Sequence, residues 1–359
     1  MASSVKLIYI AHDASTHDLE GHPERRARID ATLARLRDER LTERTRTNGD
    51  VERMETFASA THEDLKHVHE KNYSRSIEML ARSRAPLMLD SAPTYLCPGS
   101  CEEAMKGVGA ARALVDRVSD EARGSKRAPT GFGLIRPPGH HATKRGGQGF
   151  CLFNTAVAAV CRARERGYER VLVYDFDVHH GNGTNDIFHA DPNVLFVSTH
   201  EDGSYPGTGK ITDVGEGDGV GATINIPLPP GSGDFAVLSA VENILMPAAA
   251  RFKPDFIIIS AGYDAHWRDP LAGLNFRTGT YHRLCTKLKE MADALCGGRI
   301  VFLLEGGYDL VGLSEGVADS FRALLSEGST DIGVIPGLRD EPMDKVRKVL
   351  AEVKALHQV

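Results

Sequence analysis

With 359 residues, 41% hydrophobic and 26% charged, the chain can bury a large core, as one α/β domain or as two smaller ones. A formal charge of −6 gives no field to hold a polyanion, so no direct nucleic-acid binding is expected. No stretch approaches the roughly 20 apolar residues of a membrane span, and six cysteines without a C-x-x-C pair suit a reducing compartment with free thiols.

The apolar run 7–10 is too short and unflanked for a signal peptide, and a removed transit peptide would leave no trace. The first strand, predicted over 5–10, runs into a loop carrying His12, Asp13, His17 and His22. Their irregular spacing favours loop packing or a rim role over metal binding. Pro23 stands where a helix would start, and Ile29, Leu33 and Leu36 recur at helical spacing. A second helical pattern covers 64–85, followed by the loop Asp90-Ser-Ala-Pro-Thr-Tyr95. A third helix, from about Cys101 to Val118, leads into polar residues 119–130 that read as a surface loop. Cys97 and Cys101 read as structural.

Residues 131–135 form the next predicted strand, ending in Arg136-Pro-Pro-Gly-His-His-Ala142, where the prolines stiffen a turn that points His140 and His141 in different directions. A packed helix follows Gly149 and Phe150. The apolar run 171–174 then delivers Asp175-Phe-Asp-Val-His-His-Gly-Asn182, a buried strand opening into a glycine turn. Side chains two apart on a strand share a face, so Asp177 and His179 project together, with Asp175 one step deeper. After the strand 194–199, residues 201–221 hold seven glycines, yet Gly207-Thr-Gly-Lys210 lacks the phosphate-loop spacing and reads as a broad surface loop around Tyr205. A further strand at 224–227 precedes a helix ending near Phe252. The strand 256–260 then ends in Ala261-Gly-Tyr-Asp264, and the strand 300–304 in Glu305-Gly-Gly-Tyr308. Met343, Val346, Val349, Leu350, Val353 and Leu356 trace one face of a C-terminal helix at about 341–357, which packs on the body or on a partner, as in a homo-oligomer.

This alternation argues one doubly wound, mostly parallel sheet flanked by helices, whose chemistry lies outside the strand carboxyl ends. Four strands end in polar, glycine-bearing loops, and their convergence is the signal. Asp177, His179 and Asp264 supply two oxygens and one nitrogen. That set suits Zn²⁺ with one open position, and leaves Fe²⁺, Co²⁺ and Mn²⁺ open. An amide hydrolase also needs a base, a proton donor and an oxyanion donor. His140 or His141 can fill the first two roles if Asp175 braces a ring nitrogen, and Tyr308 the third.

The motifs at 136–142, 149–151, 175–184, 205–209, 261–266 and 305–308, in this order, resemble the zinc-dependent histone deacetylase family, in its class II branch. The likeness covers about residues 5–326, and the loop 202–209 and tail 340–343 resemble the plant organellar class II enzymes. It implies an arginase-deacetylase fold over residues 1–359, one zinc on Asp177, His179 and Asp264, and His140 as general base paired with Asp175. His141 would help protonate the amine, with Asn182 where class I members carry Asp, and Tyr308 would donate to the oxyanion. Gly149, Phe150 and Tyr205 would line a narrow channel, with Leu271 at its rim. The resemblance also implies structural K⁺ or Na⁺, with Asp175, Asp177, His179, Ser198 and Thr199 matching the inner site, and Phe188, Asp191 and Val194 part of the outer one.

Two departures bear on substrate. Relatives hold the substrate backbone with an acidic residue in the 90–95 loop, where Pro93 here displaces Asp90 in register. Polyamine-specific relatives carry glutamate where Leu271 stands, so acetyl-lysine of a protein, or a similar small acetylated amine, ranks first. The alternatives are a polyamine deacetylase, a two-manganese ureohydrolase, which would need Asp at His266, and an inactive acetyl-lysine binding module. A cytoplasmic, plastid, mitochondrial or nuclear location is compatible with the sequence.

Overall fold

A computed structural model describes residues 5–124, 127–331, 333, 335 and 337–359. The elements run β1 (Leu7–His12), α1 (Ala27–Asp38), β2 (Val51–Arg53), α2 (Tyr73–Arg84), β3 (Leu87–Met88), β4 (Tyr95–Leu96), α3 (Ser100–Gly124) and β5 (Thr130–Ile135). Then come α4 (Thr155–Glu165), β6 (Val171–Asp175), α5 (Asn182–Phe188), β7 (Val194–Glu201), β8 (Thr223–Leu228), α6 (Asp234–Ala240) and α7 (Met246–Phe252). The chain closes with β9 (Phe256–Ala261), α8 (Thr278–Cys296), β10 (Ile300–Leu304), α9 (Leu310–Leu325) and α10 (Met343–His357).

Eight strands form one sheet in the order β2-β1-β5-β10-β9-β6-β7-β8, every neighbouring pair parallel. Their runs are apolar on both faces because helices cover both. Leu172, Tyr174, Ile257 and Ile259 join the core under α1, α8, α9 and α10. Val171, Val173, Phe256 and Ile258 join the core under α2, α3 and α4. The four strands with motif-bearing tips, β5, β10, β9 and β6, lie side by side in mid-sheet, although their sequence order is scrambled. Adjacency in the sheet brings residues 140, 305, 264 and 177 to one crevice.

Several boundaries differ from the sequence reading. Helix α1 starts at Ala27, after the residues that follow Pro23, and α2 only at Tyr73, because Leu65 and Val68 are buried within turns rather than on a helix. Residues 119–124 are the last turns of α3, not a loop, while residues 125–126 lie outside those described. The span Asp234–Phe252 is long and apolar enough by composition to cross a membrane, contrary to the sequence reading. Here Val237, Val241, Ile244, Leu245 and Ala249 pack into the core instead. Its middle, Val241–Leu245, is a π turn just ahead of Pro247, which has no N–H to give to a preceding carbonyl. On α10, Val346, Leu350 and Val353 are buried against the body, whereas Leu356 faces out.

Candidate metal and amide-hydrolysis site

Asp177 and His179 leave the end of β6 on one face, and Asp264 follows β9, the neighbouring strand. One donor atom from each lies within 4.8 Å of the others. Backbone amides aim the carboxylates: Gly306 N donates to Asp177 Oδ2 at 2.8 Å and Val178 N to Asp264 Oδ1 at 3.0 Å. Asp264 Oδ2 is buried without a hydrogen-bond partner, 3.2 Å from His179 Nδ1. Burial and the adjacent Asp177 push the Asp264 carboxyl up. Burial pulls His179 down, yet a hydrogen bond to Asp177 and the negative charge of Asp177 and Asp264 hold it up at about 10. An orphaned carboxylate oxygen beside a buried imidazole, with excess negative charge, fits a divalent cation held by two oxygens and one nitrogen.

The turn after β5 sets two histidine rings 4.0 Å apart at their centroids. His140 Nδ1 donates to Asp175 Oδ2 at 2.9 Å, and His141 Nδ1 to Asn182 Oδ1 at 2.7 Å. Both acceptors fix the tautomer, leaving each Nε2 free to exchange a proton. The two rings differ in charge. Burial opposes it, but Asp175, Asp177 and Glu305 raise His140 well above 6.5. Burial and the facing His140 and His179 lower His141 well below that value.

Tyr308 follows Gly306, where a Cβ would come within 1.9 Å of Asp264 Oδ2, so only glycine lets this loop meet Asp264 and Asp177. The Tyr308 ring packs edge-on to Phe150 at 5.5 Å and under the Arg28 guanidinium at 5.0 Å. Gly149 and Phe150 both hold positive φ, +55° and +71°, and a Cβ on Gly149 would come 2.4 Å from His141 Cδ2. Tyr205 closes the other side, 5.0 Å from His141 and 6.3 Å from His179 between ring centroids. The glycine-rich 201–221 loop therefore brings Tyr205 beside both histidines. Leu271 is 39% exposed on the loop after β9.

Asp175, Asp177, His179, Ser198 and Thr199 are buried together, with Asp175 opposite Ser198 in the β6–β7 register. Ser198 Oγ pairs with His200 Nδ1 at 2.9 Å. Phe188, Asp191 and Val194 form a tight turn, with Asp191 N donating to Phe188 O at 2.9 Å. The Asp191 side chain is taken by Arg164.

Sequence reasoning missed the supports of these groups. Asp90 Oδ2 accepts from Gly149 N at 3.1 Å and Thr94 Oγ1 from Phe150 N at 2.8 Å, so the 90–95 loop braces Gly149 and Phe150. His22 is buried and packs against Phe150 at 4.7 Å between ring centroids, the loop packing that its spacing favoured. Glu305 Oε2 accepts from Gly139 N at 2.6 Å and His140 N at 3.1 Å, holding the histidine turn. The only sequence trace of Arg28 is its spacing of four from Glu24, with which it pairs.

Comparison with known proteins agrees with this geometry. Residues 22–324 match the model of the histone deacetylase domain. The chain belongs to the histone deacetylase family. This family member is 48% identical to histone deacetylase 14, chloroplastic, of Arabidopsis thaliana, over 99% of this chain and 85% of the relative. It is 45% identical to histone deacetylase 10, chloroplastic, of Oryza sativa subsp. japonica, over 98% of this chain and 81% of the relative. The crystal structure of the HDA15 HD domain superposes with a TM-score of 0.85 at 30% identity, covering 99% of this chain and 94% of that one. The deacetylase is thus a hydrolase of linear amides with the family fold, and the family is generally zinc-dependent.

Proposed function

We propose that the chain hydrolyses the acetamide of an N-acetylated lysine side chain, or of a similar primary amine, to free amine and acetate. The observation that carries this reading is the convergence of Asp177, His179 and Asp264 beside the braced His140–His141 pair and the Tyr308 loop. Zinc held by the three ligands would polarise the acetyl carbonyl and bring the pKa of a water toward about 7. His140 accepts the water proton at Nε2, its Nδ1 being committed to Asp175. His140 then hands that proton to the leaving nitrogen, with the His141 ring, 4.0 Å away, helping to protonate the amine. Tyr308 donates its hydroxyl proton in a hydrogen bond to the carbonyl oxygen as charge develops there. Gly149, Phe150 and Tyr205 flank the methylenes of an unbranched side chain, and Leu271 offers a neutral rim.

Both rings commit Nδ1 to an acceptor and leave Nε2 toward the site, so the base and acid roles of His140 and His141 can also be exchanged. Alanine at each position separates the two, because loss of the base removes the acidic limb of the kcat/KM profile. Asp175, Asp177, His179, Ser198 and Thr199 are proposed to hold K⁺ or Na⁺ inside, with Phe188, Asp191 and Val194 at an outer ion. Thermal stability titrated with KCl against a bulky organic cation at equal ionic strength tests this. The two chloroplastic relatives support a plastid location, which a fluorescent fusion of the full gene product reports.

Turnover on acetyl-lysine peptides, acetylated polyamines and small aromatic acetamides, with and without chelator, tests the whole reading. Chelator-sensitive acetate release with the highest kcat/KM on the peptides supports it. Preference for polyamines selects the small-amine alternative, and no turnover on any of them selects the binding module. One metal per chain excludes the two-manganese ureohydrolase. Asp177→Asn is expected to abolish metal content and turnover together.

A further inference from the structure

We propose that Asp269 is a positioning residue for the reaction, fixing the backbone of Tyr308; this rests on the deacetylase reading above. Asp269 closes the loop after β9 and is 7% exposed. Its Oδ2 accepts from Tyr308 N at 2.7 Å and Asp309 N at 3.2 Å, and its Oδ1 from Leu271 N at 3.0 Å. One carboxylate thus ties the loop bearing the rim residue to the loop bearing the phenol. Tyr308 follows Gly306 and Gly307, the latter at φ +118°; Asp177 accepts from Gly306 N and Arg28 Nε donates to Gly307 O at 2.7 Å, and the amide of Tyr308 itself goes to Asp269. Phe150 and Arg28 orient the ring, and Arg28 also holds the carbonyls of Glu305 and Gly307 ahead of it, while Asp269 takes the amides of Tyr308 and Asp309. The residue type carries the argument further. All three bonds come from backbone amides and arrive at both oxygens, so an asparagine of equal size would turn its NH₂ toward one of those donors. A buried carboxylate accepting from both loops is the group that satisfies all three.

The test compares wild type, Y308F, D269A and the double variant at saturating zinc, with zinc content and thermal unfolding measured on each. D269A is expected to lose up to about 10²-fold in kcat with KM nearly unchanged, the scale of a misplaced catalytic group. In the Y308F background the same substitution should change kcat little, because both remove one contribution. Hydrogen exchange at the amides of Tyr308 and Asp309 should quicken in D269A with or without metal. A loss that repeats in full in the Y308F background, an unaltered kcat, or unaltered exchange overturns the proposal. Where D269A fails to fold, D269N carries the same comparisons. Should Y308F alone keep normal kcat, the oxyanion assignment of the functional reading fails, and the exchange measurement still decides whether Asp269 holds this loop.

Discussion

Tyr308 keeps the proton it would donate, because burial raises its phenol well above 10. Replacing it by Phe leaves the ring packing and removes the donor. We expect kcat to fall by about 10² to 10³ with zinc retained, and a near-normal value would strike Tyr308 from the mechanism. Asn182 gives His141 a neutral partner at 2.7 Å. In Asn182→Asp an anion takes that place and favours the protonated imidazole, so the pKa of His141 rises from its lowered state. The pH limb that reports His141 in the kcat/KM profile should move to higher pH; movement to lower pH would contradict the pairing. Gly149→Ala would strain a left-handed residue and drive a methyl into His141, so a loss of about 10² in kcat/KM is expected from the displaced ring.

Among the elements, α10 is docked through a residue that precedes it. Glu341 accepts from Phe235 N at 2.8 Å and Ala236 N at 3.1 Å, satisfying the first turn of α6. Glu341→Ala should cost about 1 kcal/mol, as for loss of a helix cap, read as a lower urea midpoint with kcat unchanged. Strands and their glycine tips were legible in the sequence because a four- to six-residue apolar run ending in Gly has few other readings. Residues 119–124 misled because a helix on the molecular surface carries polar residues on its outer face, as a loop does. Residues 64–72 misled in the opposite sense: Leu65 and Val68 are spaced as on a helix yet are buried one by one in turns. That Asp177, His179 and Asp264 come together was legible from their residue types at neighbouring strand ends. The supports of the site were not, since Asp90, Glu305 and Asp269 act on backbone amides 59, 166 and 39 residues away, and an amide leaves no mark in a sequence.

At the scale of the molecule, a buried charge cluster lies between the first loop and the sheet. Burial would raise Glu24, but Arg136, through charge and hydrogen bond, and then Arg28 lower it to about 2. A folded pKa below the unfolded value means that its contribution, on the order of 3 kcal/mol, is complete above about pH 4.5 and is lost as pH falls toward 2. The urea midpoint should therefore drop across that window, and a flat midpoint there would contradict the pairing. Chelation should lower the thermal midpoint of the zinc-loaded protein, because an ion bound only by the folded state stabilises it.

The adjacency of β5, β10, β9 and β6 has a final consequence for what this pocket can learn to accept. Three strand spacings set the width of its floor at roughly 14 Å, and widening it would mean tearing ladder hydrogen bonds in the middle of the sheet. The 90–94 and 202–209 segments lie outside the strand ladders and carry no such constraint. Divergence toward bulkier or differently charged clients should accumulate in those two flanking segments, while the floor stays fixed.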